Sequence, residues 1–367
     1  MSQTITYEML VSSRNTNSVK RFNAQTGSYI DDFISSNSGG LNTTQDVIKG
    51  LRGNILVSGR GNTRILMYDK TTGDFLMPFT NGYALNNPTK ITYGPDSSLY
   101  VSQWGTTNSK VVRFNGINGQ FISEFTQSLN LPLGHTWDAA GNLYVACYGS
   151  GDVRKFDTLG NFSGIFTQSG HLQGPTNLWF DNSGSLFVID WVLGSVIQFE
   201  ASTGVFTKVF ISGLQNAEGY SFGPDSNLYI CDWSRNQITR YTPEGIFMNI
   251  FATQGNMQAP NSILFREVKV SGISEVGNLI NSFSLNQNYP NPFNPKTKIK
   301  FEIKKSSDVK LTVLDVSGKM VSTLVDQQLN AGTYESEFDG KNFASGVYFY
   351  KLETSSGMFV KKMILMK

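Results

Sequence analysis

The stretch "GPDSNLYICDW", residues 223–233, reads as a polar turn followed by a short apolar strand that ends on an acid and a tryptophan. Near copies stand at residues 94–104 ("GPDSSLYVSQW"), 138–148 ("DAAGNLYVACY") and 181–191 ("DNSGSLFVIDW"). Self-similarity at a fixed period ranks above other signals, because it sets the whole architecture. Taking the apolar residue that opens each copy as an anchor gives Leu10, Leu56, Tyr100, Tyr144, Phe187 and Tyr229, separated by 46, 44, 44, 43 and 42 residues.

Each anchor has the same surroundings. Before most of them lies an inner strand that starts at a proline or small residue, as in "PTKITY", "PLGHTW", "PTNLWF" and "AEGYSF". After them come two alternating strands joined by a glycine turn, with Gly27, Gly73, Gly119, Gly160, Gly204 and Gly245 in one register. Alternation around such a turn is the hairpin signal, and a four-stranded unit of ~40–45 residues has the size of a propeller blade. Leu10 has too little chain before it for an inner strand, while "PNSILF" (260–265) is an inner strand with no anchor after it. Together they complete one blade. The expectation is therefore a six-bladed β-propeller over residues 1–267, its ring closed by residues 260–266 against the N-terminal strands, which protects sheet edges.

Composition agrees with an all-β chain. Charged residues make up 16 % of the 367, and glycine and aromatics are plentiful. The apolar runs fall short of the ~20 residues of a membrane helix, so no transmembrane segment is expected. Residues 1–282 carry 18 Lys and Arg against 20 Asp and Glu, and residues 283–367 carry 12 Lys against 8 acids. Neither part has the basic stripe that nucleic-acid binding requires, and no nucleic-acid partner is expected. The two cysteines, Cys147 and Cys231, lie in non-consecutive repeats away from any metal-ligand spacing and read as buried thiols.

The pattern of proline, apolar strand, "DxxGxLYVxD" and "xxVxRFDxxG" resembles the six-bladed propellers of the NHL type and their gluconolactonase and streptogramin-lyase relatives. The likeness covers residues 5–266 and speaks for fold, since such propellers host hydrolases, lyases and binding modules alike. After Arg266 the repeat stops, and residues 268–282 read as a linker. "LNQNYPNPFNPKTKIKFEI" follows, its prolines Pro290, Pro292 and Pro295 holding the chain extended at a domain entrance. Short strands with glycine turns over residues 283–367 suggest a small Ig-like β-sandwich.

"QNYPNPFNP", "LDVSGKMV", "LNAGTYESEFDG", "ASGVYFYKLET" and "KKMILMK" resemble, in the family's order, the type A sorting domain of type IX secretion substrates. The sorting motif residues are Asn288, Tyr289, Pro290, Asn291, Pro292, Phe293, Asn294 and Pro295, with Lys361 and Lys362. The resemblance implies recognition by the type IX translocon, export across the outer membrane of a Gram-negative bacterium, and release or attachment to surface lipopolysaccharide. Such substrates also need a Sec leader, and no charged start followed by an apolar core and cleavage site occurs at Met1.

In a propeller the loops that lead into the innermost strands face the central channel. Eleven residues before the anchors, and in the matching place of the closing strand, stand Gln45, Thr89, Leu133, Thr176, Glu218 and Asn261. The next residues are Asp46, Lys90, Gly134, Asn177, Gly219 and Ser262. Glu218 resembles the lactonase acid, and with Asn261 and Asn177 would hold a divalent cation such as Ca²⁺, which takes several oxygen ligands. The further Asn and Asp of the lactonase pattern are not in register, nor are the histidines of the lyases. His135 reads as packed between blades and His171 as a solvated loop residue, so no nucleophile and base pair is legible.

The aromatic set Trp104, Tyr148, Trp191 and Trp233 recurs beside Gln103, Cys147, Asp190 and Asp232. One reading is blade packing, with Asp190 and Asp232 tying loops. The other is a ring at the channel mouth on which sugars or a peptide stack. The leading function is a secreted or surface-displayed module binding a glycan or protein, with no catalytic residue and no cofactor. Asp46, Lys90, Asn177, Glu218, Asn261, Trp104, Trp191 and Trp233 are its candidate contacts. The rival is a metal-dependent hydrolase or lyase centred on Glu218, and a structural cell-surface module is the third class.

Overall fold

The computed structural model describes residues 4–105, 109–270, 283–303, 306–354 and 357–367. The chain divides into two units, Met1–Gly272 and Ile273–Lys367. Most of the segment read as a linker, residues 271–282, lies outside the described residues.

The first unit holds six four-stranded antiparallel sheets. Five are sequential hairpin ladders. They begin at the inner strands Thr44–Lys49, Pro88–Tyr93, Pro132–Trp137, Pro175–Phe180 and Ala217–Phe222. The remaining sheet joins the two ends of the unit in the order Pro260–Val270, Thr4–Ser13, Ser18–Asn23 and Tyr29–Ile34. Its closing strand runs four residues beyond the expected 266, because pairing continues to Thr4 opposite Val270. Residues 268–270, read in the sequence as the start of a linker, are therefore strand. Arg266 fastens this seam, its guanidinium bonded to Glu8 and lying 4.1 Å from the centre of the Phe33 ring.

The strand Leu228–Asp232 is buried along its whole length, because neighbouring sheets cover both of its faces, and so it is an unbroken apolar run. The turn before it is closed by Asp225, which accepts the Asn227 amide at 3.2 Å and the Tyr229 hydroxyl at 3.0 Å. Asp96 and Asp138 accept the hydroxyls of Tyr100 and Tyr144 in the same way, at 3.3 and 3.1 Å. The repeated acid and tyrosine are thus one local device. The outer strands, such as Phe121–Glu124, alternate between exposed and half-buried residues.

The inner strands lie against one another in cyclic order, and the apolar clusters between sheets mix residues of adjacent repeats. One such cluster joins Leu10, Val19 and Phe33 to Val47, Val57 and Tyr68. Burial of such layers is the main source of stability. The hairpin turns add a contact that repeats around the ring. Gly27 has φ +71°, and a Cβ there would overlap the Phe251 carbonyl oxygen of the last ladder, just as one at Gly73 would overlap that of Phe33.

The second unit has a three-stranded sheet and a four-stranded sheet. The first pairs Phe283–Leu285 and Gly332–Asp339 with Lys296–Ile303, and the second orders Met320–Leu329, Ser307–Leu314, Gly346–Thr354 and Gly357–Leu365. One core serves both sheets, with Ile299, Phe301 and Phe338 against Leu311, Val313, Tyr350 and Leu352. The short strand Phe283–Leu285 was not read from the sequence, where it lacks alternation long enough to register.

Candidate functional site at the mouth of the central channel

The inner strands start at one end of the first unit, and the register shows what else meets there. Pro260, Thr44, Pro88, Pro132, Pro175 and Ala217 pair with the last residues of the second strands, Ser13, Gly59, Gln103, Cys147, Asp190 and Asp232. The residue after each, four beyond the anchor, forms a crown of Arg14, Arg60, Trp104, Tyr148, Trp191 and Trp233. The sequence reading found its four aromatic members but not its two arginines, which the register alone would have supplied.

A repeated backbone bond positions the crown. The amides of Arg14, Arg60, Trp104, Tyr148 and Trp191 donate to the carbonyls of Ala259, Thr43, Asn87, Leu131 and Gly174, each immediately before an inner strand. Thr43, Asn87, Leu131, Asn216 and Ala259 hold φ between 46° and 58°, a left-handed conformation that non-glycine residues seldom adopt.

Crown members also touch between sheets. The Arg60 guanidinium lies 4.6 Å from the centre of the Trp104 ring. Trp104 and Tyr148 have ring centres 5.3 Å apart, and Trp191 and Trp233 meet edge to face at 4.9 Å. Asp190 and Asp232, fully buried, tie the loops beneath: Asp190 accepts the amides of Gln173, Gly174 and Leu193, and Asp232 that of Gln215.

Below the crown lies a cavity of about 10 Å³ lined by Gln45, Asp46, Thr89, Lys90, Thr176, Asn177, Glu218 and Asn261, among others. The structure thus brings together the residues that the register of the sequence placed at the channel. Gly219 stands in this row because the next inner strand passes too close for a Cβ, which would overlap the Asn261 carbonyl.

Asp46 is fully engaged. It accepts the amides of Val47 and Ile91 at 3.0 and 2.9 Å and the Ser262 hydroxyl, and Lys90 stands 3.5 Å away. Glu218 is 7 % exposed and accepts the Gln45 amide, whose carbonyl in turn receives Arg14 Nη1 at 3.4 Å. Burial pushes the Glu218 carboxyl up to about 7, against the pull of Arg14 and Arg60. Burial and the neighbouring charge of Arg14 bring Arg60 down to about 10. Asn177 spends its side-chain oxygen on the Leu178 amide at 3.1 Å. Asn261 is different: 3 % exposed, its side-chain oxygen and nitrogen have no partner among the described residues.

Glu218, Asn177 and Asn261 do not fit a hard dication. Ca²⁺ wants several oxygen ligands with anionic charge among them. Of these three side chains only Glu218 is a carboxyl, the positive charges of Arg14, Arg60 and Lys90 act on it, and Asp46 beside it is bonded to backbone amides and Ser262. No group of three His, Cys, Asp or Glu placed to hold a metal occurs among the described residues.

His135 is 1 % exposed between sheets and bonded to Thr92 and Ser102 at 2.8 and 2.7 Å. Burial brings it down to about 3, which keeps it neutral. His171 is not simply solvated as read, since its ring stacks on Phe206 at 4.1 Å. Cys147 and Cys231 are free and buried.

In the second unit the sorting motif splits by burial. Asn288 and Phe293 are each 2 % exposed, whereas Tyr289 is 81 % exposed, with Pro290, Asn291, Pro292 and Asn294 also on the surface and Pro295 half-buried. Asn288 Nδ2 donates to Pro290 O and Thr297 Oγ1 at 3.0 and 2.9 Å. The motif is bonded to the final strand, which carries Lys361 and Lys362. Asn291 Oδ1 accepts the Ile364 amide at 2.9 Å, and Gln287 donates to the Lys362 carbonyl at 2.8 Å. Two stretches some seventy residues apart in sequence therefore form one surface.

Residues 287–366 match the family described as "Secretion system C-terminal sorting domain". This part of the chain is a sorting domain. The sorting domain directs the chain to secretion or the cell surface and to handling by the type IX system. No helix among the described residues is long and apolar enough to cross a membrane.

The chain is similar to human "NHL repeat-containing protein 3", 27 % identical over 129 residues, which cover 33 % of this chain and 37 % of that protein. The match thus spans little more than a third of the relative's length. Among solved structures, a nidogen/laminin complex chain aligns with TM-score 0.59 and 16 % identity, over 71 % of this chain and 98 % of that one. A protein of unknown function from Bacteroides caccae aligns with TM-score 0.56 and 17 % identity, over 70 % and 98 %. With the sheets described above, these structural likenesses give the first unit an all-β propeller fold.

Proposed function

We propose that the chain is a binding module that the sorting domain delivers to the cell surface or medium, and that its six sheets are the blades of a six-bladed propeller. The second unit is then an Ig-like sandwich presenting the sorting surface, exported across the outer membrane of a Gram-negative bacterium. The ligand, a glycan or a protein, docks on the crown. The observation that carries this reading is the crown itself: two arginines and four aromatics in one register around a channel mouth, above Asn261, whose side chain has no partner among the described residues. Large aromatic faces with a few convergent polar groups are the usual makings of a recognition site.

One observation favours a second reading. A buried carboxyl held near 7 at a channel, linked through Gln45 to Arg14, is what acid catalysis would use. Against it, the only other carboxyl lining the cavity, Asp46, is committed to backbone amides and Lys90 and offers no complementary base.

The test is to screen the full chain against immobilised neutral and acidic glycans and extracellular proteins, beside the double variant Trp191→Ala/Trp233→Ala. Retention by the wild type that is lost in the folded variant supports the reading. Retention unaffected by the variant, or none at all, overturns it, and turnover of a retained glycan that ceases in Glu218→Gln favours the second reading.

A further inference from the structure

Resting on that binding reading, we infer that the crown takes an acidic sugar, a pyranose ring carrying a carboxylate that sits between Arg14 and Arg60. The arginines differ in their partners. Seven are half-buried: Arg14, Arg21, Arg60, Arg113, Arg154, Arg240 and Arg266. Arg21, Arg113, Arg154, Arg240 and Arg266 each have an acid partner. Arg14 and Arg60 have no ion pair among the described residues, and both belong to the crown. A partly desolvated guanidinium without an anion is costly, and a second one near it raises the cost. Besides burial, the charge of Arg14 lowers the proton affinity of Arg60 and that of Glu218, which is not in ion-pair contact with it, raises it. A planar carboxylate is the group that a guanidinium fork binds best.

The rest of the crown and channel suits a sugar ring. The cavity of about 10 Å³ admits a hydroxyl or a water and excludes a ring, so the ligand must lie across the mouth with one substituent pointing down. Asn261 waits there with a free donor and a free acceptor, the pair that a hydroxyl satisfies at once. Leaving such atoms dry is unfavourable, and a bound hydroxyl relieves it. Trp233 Nε1 is likewise buried and has no partner among the described residues, on the side of the mouth where Trp191 and Trp233 pair. Trp104 already carries Arg60 on its ring, so the Trp191 and Trp233 side is the platform for the apolar face of the sugar.

The experiment titrates the full chain with pentagalacturonate, the same pentamer fully methyl-esterified, and pentaglutamate, in wild type, Arg60→Gln and Arg14→Gln, with thermal unfolding as the check on folding. The acid should bind at least roughly tenfold more tightly than its ester, and either folded variant should lose roughly tenfold for the acid and little for the ester. Acid and ester binding alike, or variants without effect, overturn the inference. Pentaglutamate binding as tightly as the sugar also overturns it, in favour of an acidic peptide. If no uronate binds while neutral glycans or proteins are still retained through Trp191 and Trp233, the acidic-sugar inference falls and the binding module stands.

Discussion

Arg60 and Trp104 stand one repeat apart at the same register position, with the guanidinium carbon 4.6 Å from the indole centre. The contact crosses from one sheet to the next, so it is both a piece of the crown and a strut between repeats. Cation–π pairs of this kind contribute about 0.5–2 kcal/mol depending on desolvation. A double-mutant cycle with Arg60→Gln and Trp104→Phe, followed by denaturant unfolding of the first unit, should give a coupling near 1 kcal/mol. Strict additivity would mean that the ring carries no such contact in solution.

Much of this was legible in the repeat. The anchors fix the second strands, and counting back from them finds the channel row, because a ladder with constant spacing puts equivalent residues at equivalent heights. Arg14 and Arg60 escaped notice because attention to residue type selected the tryptophans, while the register that unites all six positions ignores type. The lack of a partner for Asn261 could not be read at all, since it depends on how closely neighbouring inner strands approach. The extension of the closing strand to Val270 was equally hidden, because "REVKV" alternates weakly and its partner is near Met1.

Closure of the ring is testable at Gly27, where the backbone is left-handed and a Cβ would collide with Phe251 of the last ladder. Gly213 offers the control, with φ +82° and nothing within 4 Å of a Cβ. Alanine at Gly213 should cost about 1 kcal/mol, for its backbone alone. Alanine at Gly27 should cost distinctly more, because collision with a carbonyl adds to the same backbone term. Equal losses for the two variants would deny the contact that joins the ends of the unit.

Glu218 predicts a pH dependence. Burial raises its carboxyl from an ordinary 4.5 to about 7 in the folded chain, against the pull of Arg14 and Arg60. Between those values the folded state holds a proton that the unfolded state has lost, so stability falls as pH rises through that window and levels off above it. The full difference is of the order of 3 kcal/mol. Glu218→Gln removes this slope, and its melting temperature should gain on the wild type from pH 5 to about pH 7 and hold that gain above it. Parallel profiles would show that the carboxyl is not held protonated.

The sorting surface separates fold from recognition. Asn288→Ala removes the side-chain bonds to Pro290 and Thr297 at a buried position and should destabilise the second unit by about 1–3 kcal/mol. Tyr289→Ala, on a side chain 81 % exposed, should leave stability within about 0.5 kcal/mol of wild type. Reporter export by residues 268–367 behind a Sec leader should nonetheless fall in Tyr289→Ala. Export at the wild-type level would remove this side chain from the recognition surface.

The central claim, that the crown binds a ligand and leaves it chemically intact, is tested most directly by equilibrium dialysis with pentagalacturonate followed by mass spectrometry of the recovered sugar. The account predicts a saturating bound fraction of one pentamer per chain, recovered at full length and abolished in the folded Trp191→Ala/Trp233→Ala variant. A shortened or unsaturated product that disappears in Glu218→Gln, or uptake that the tryptophan variant leaves unchanged, would contradict it.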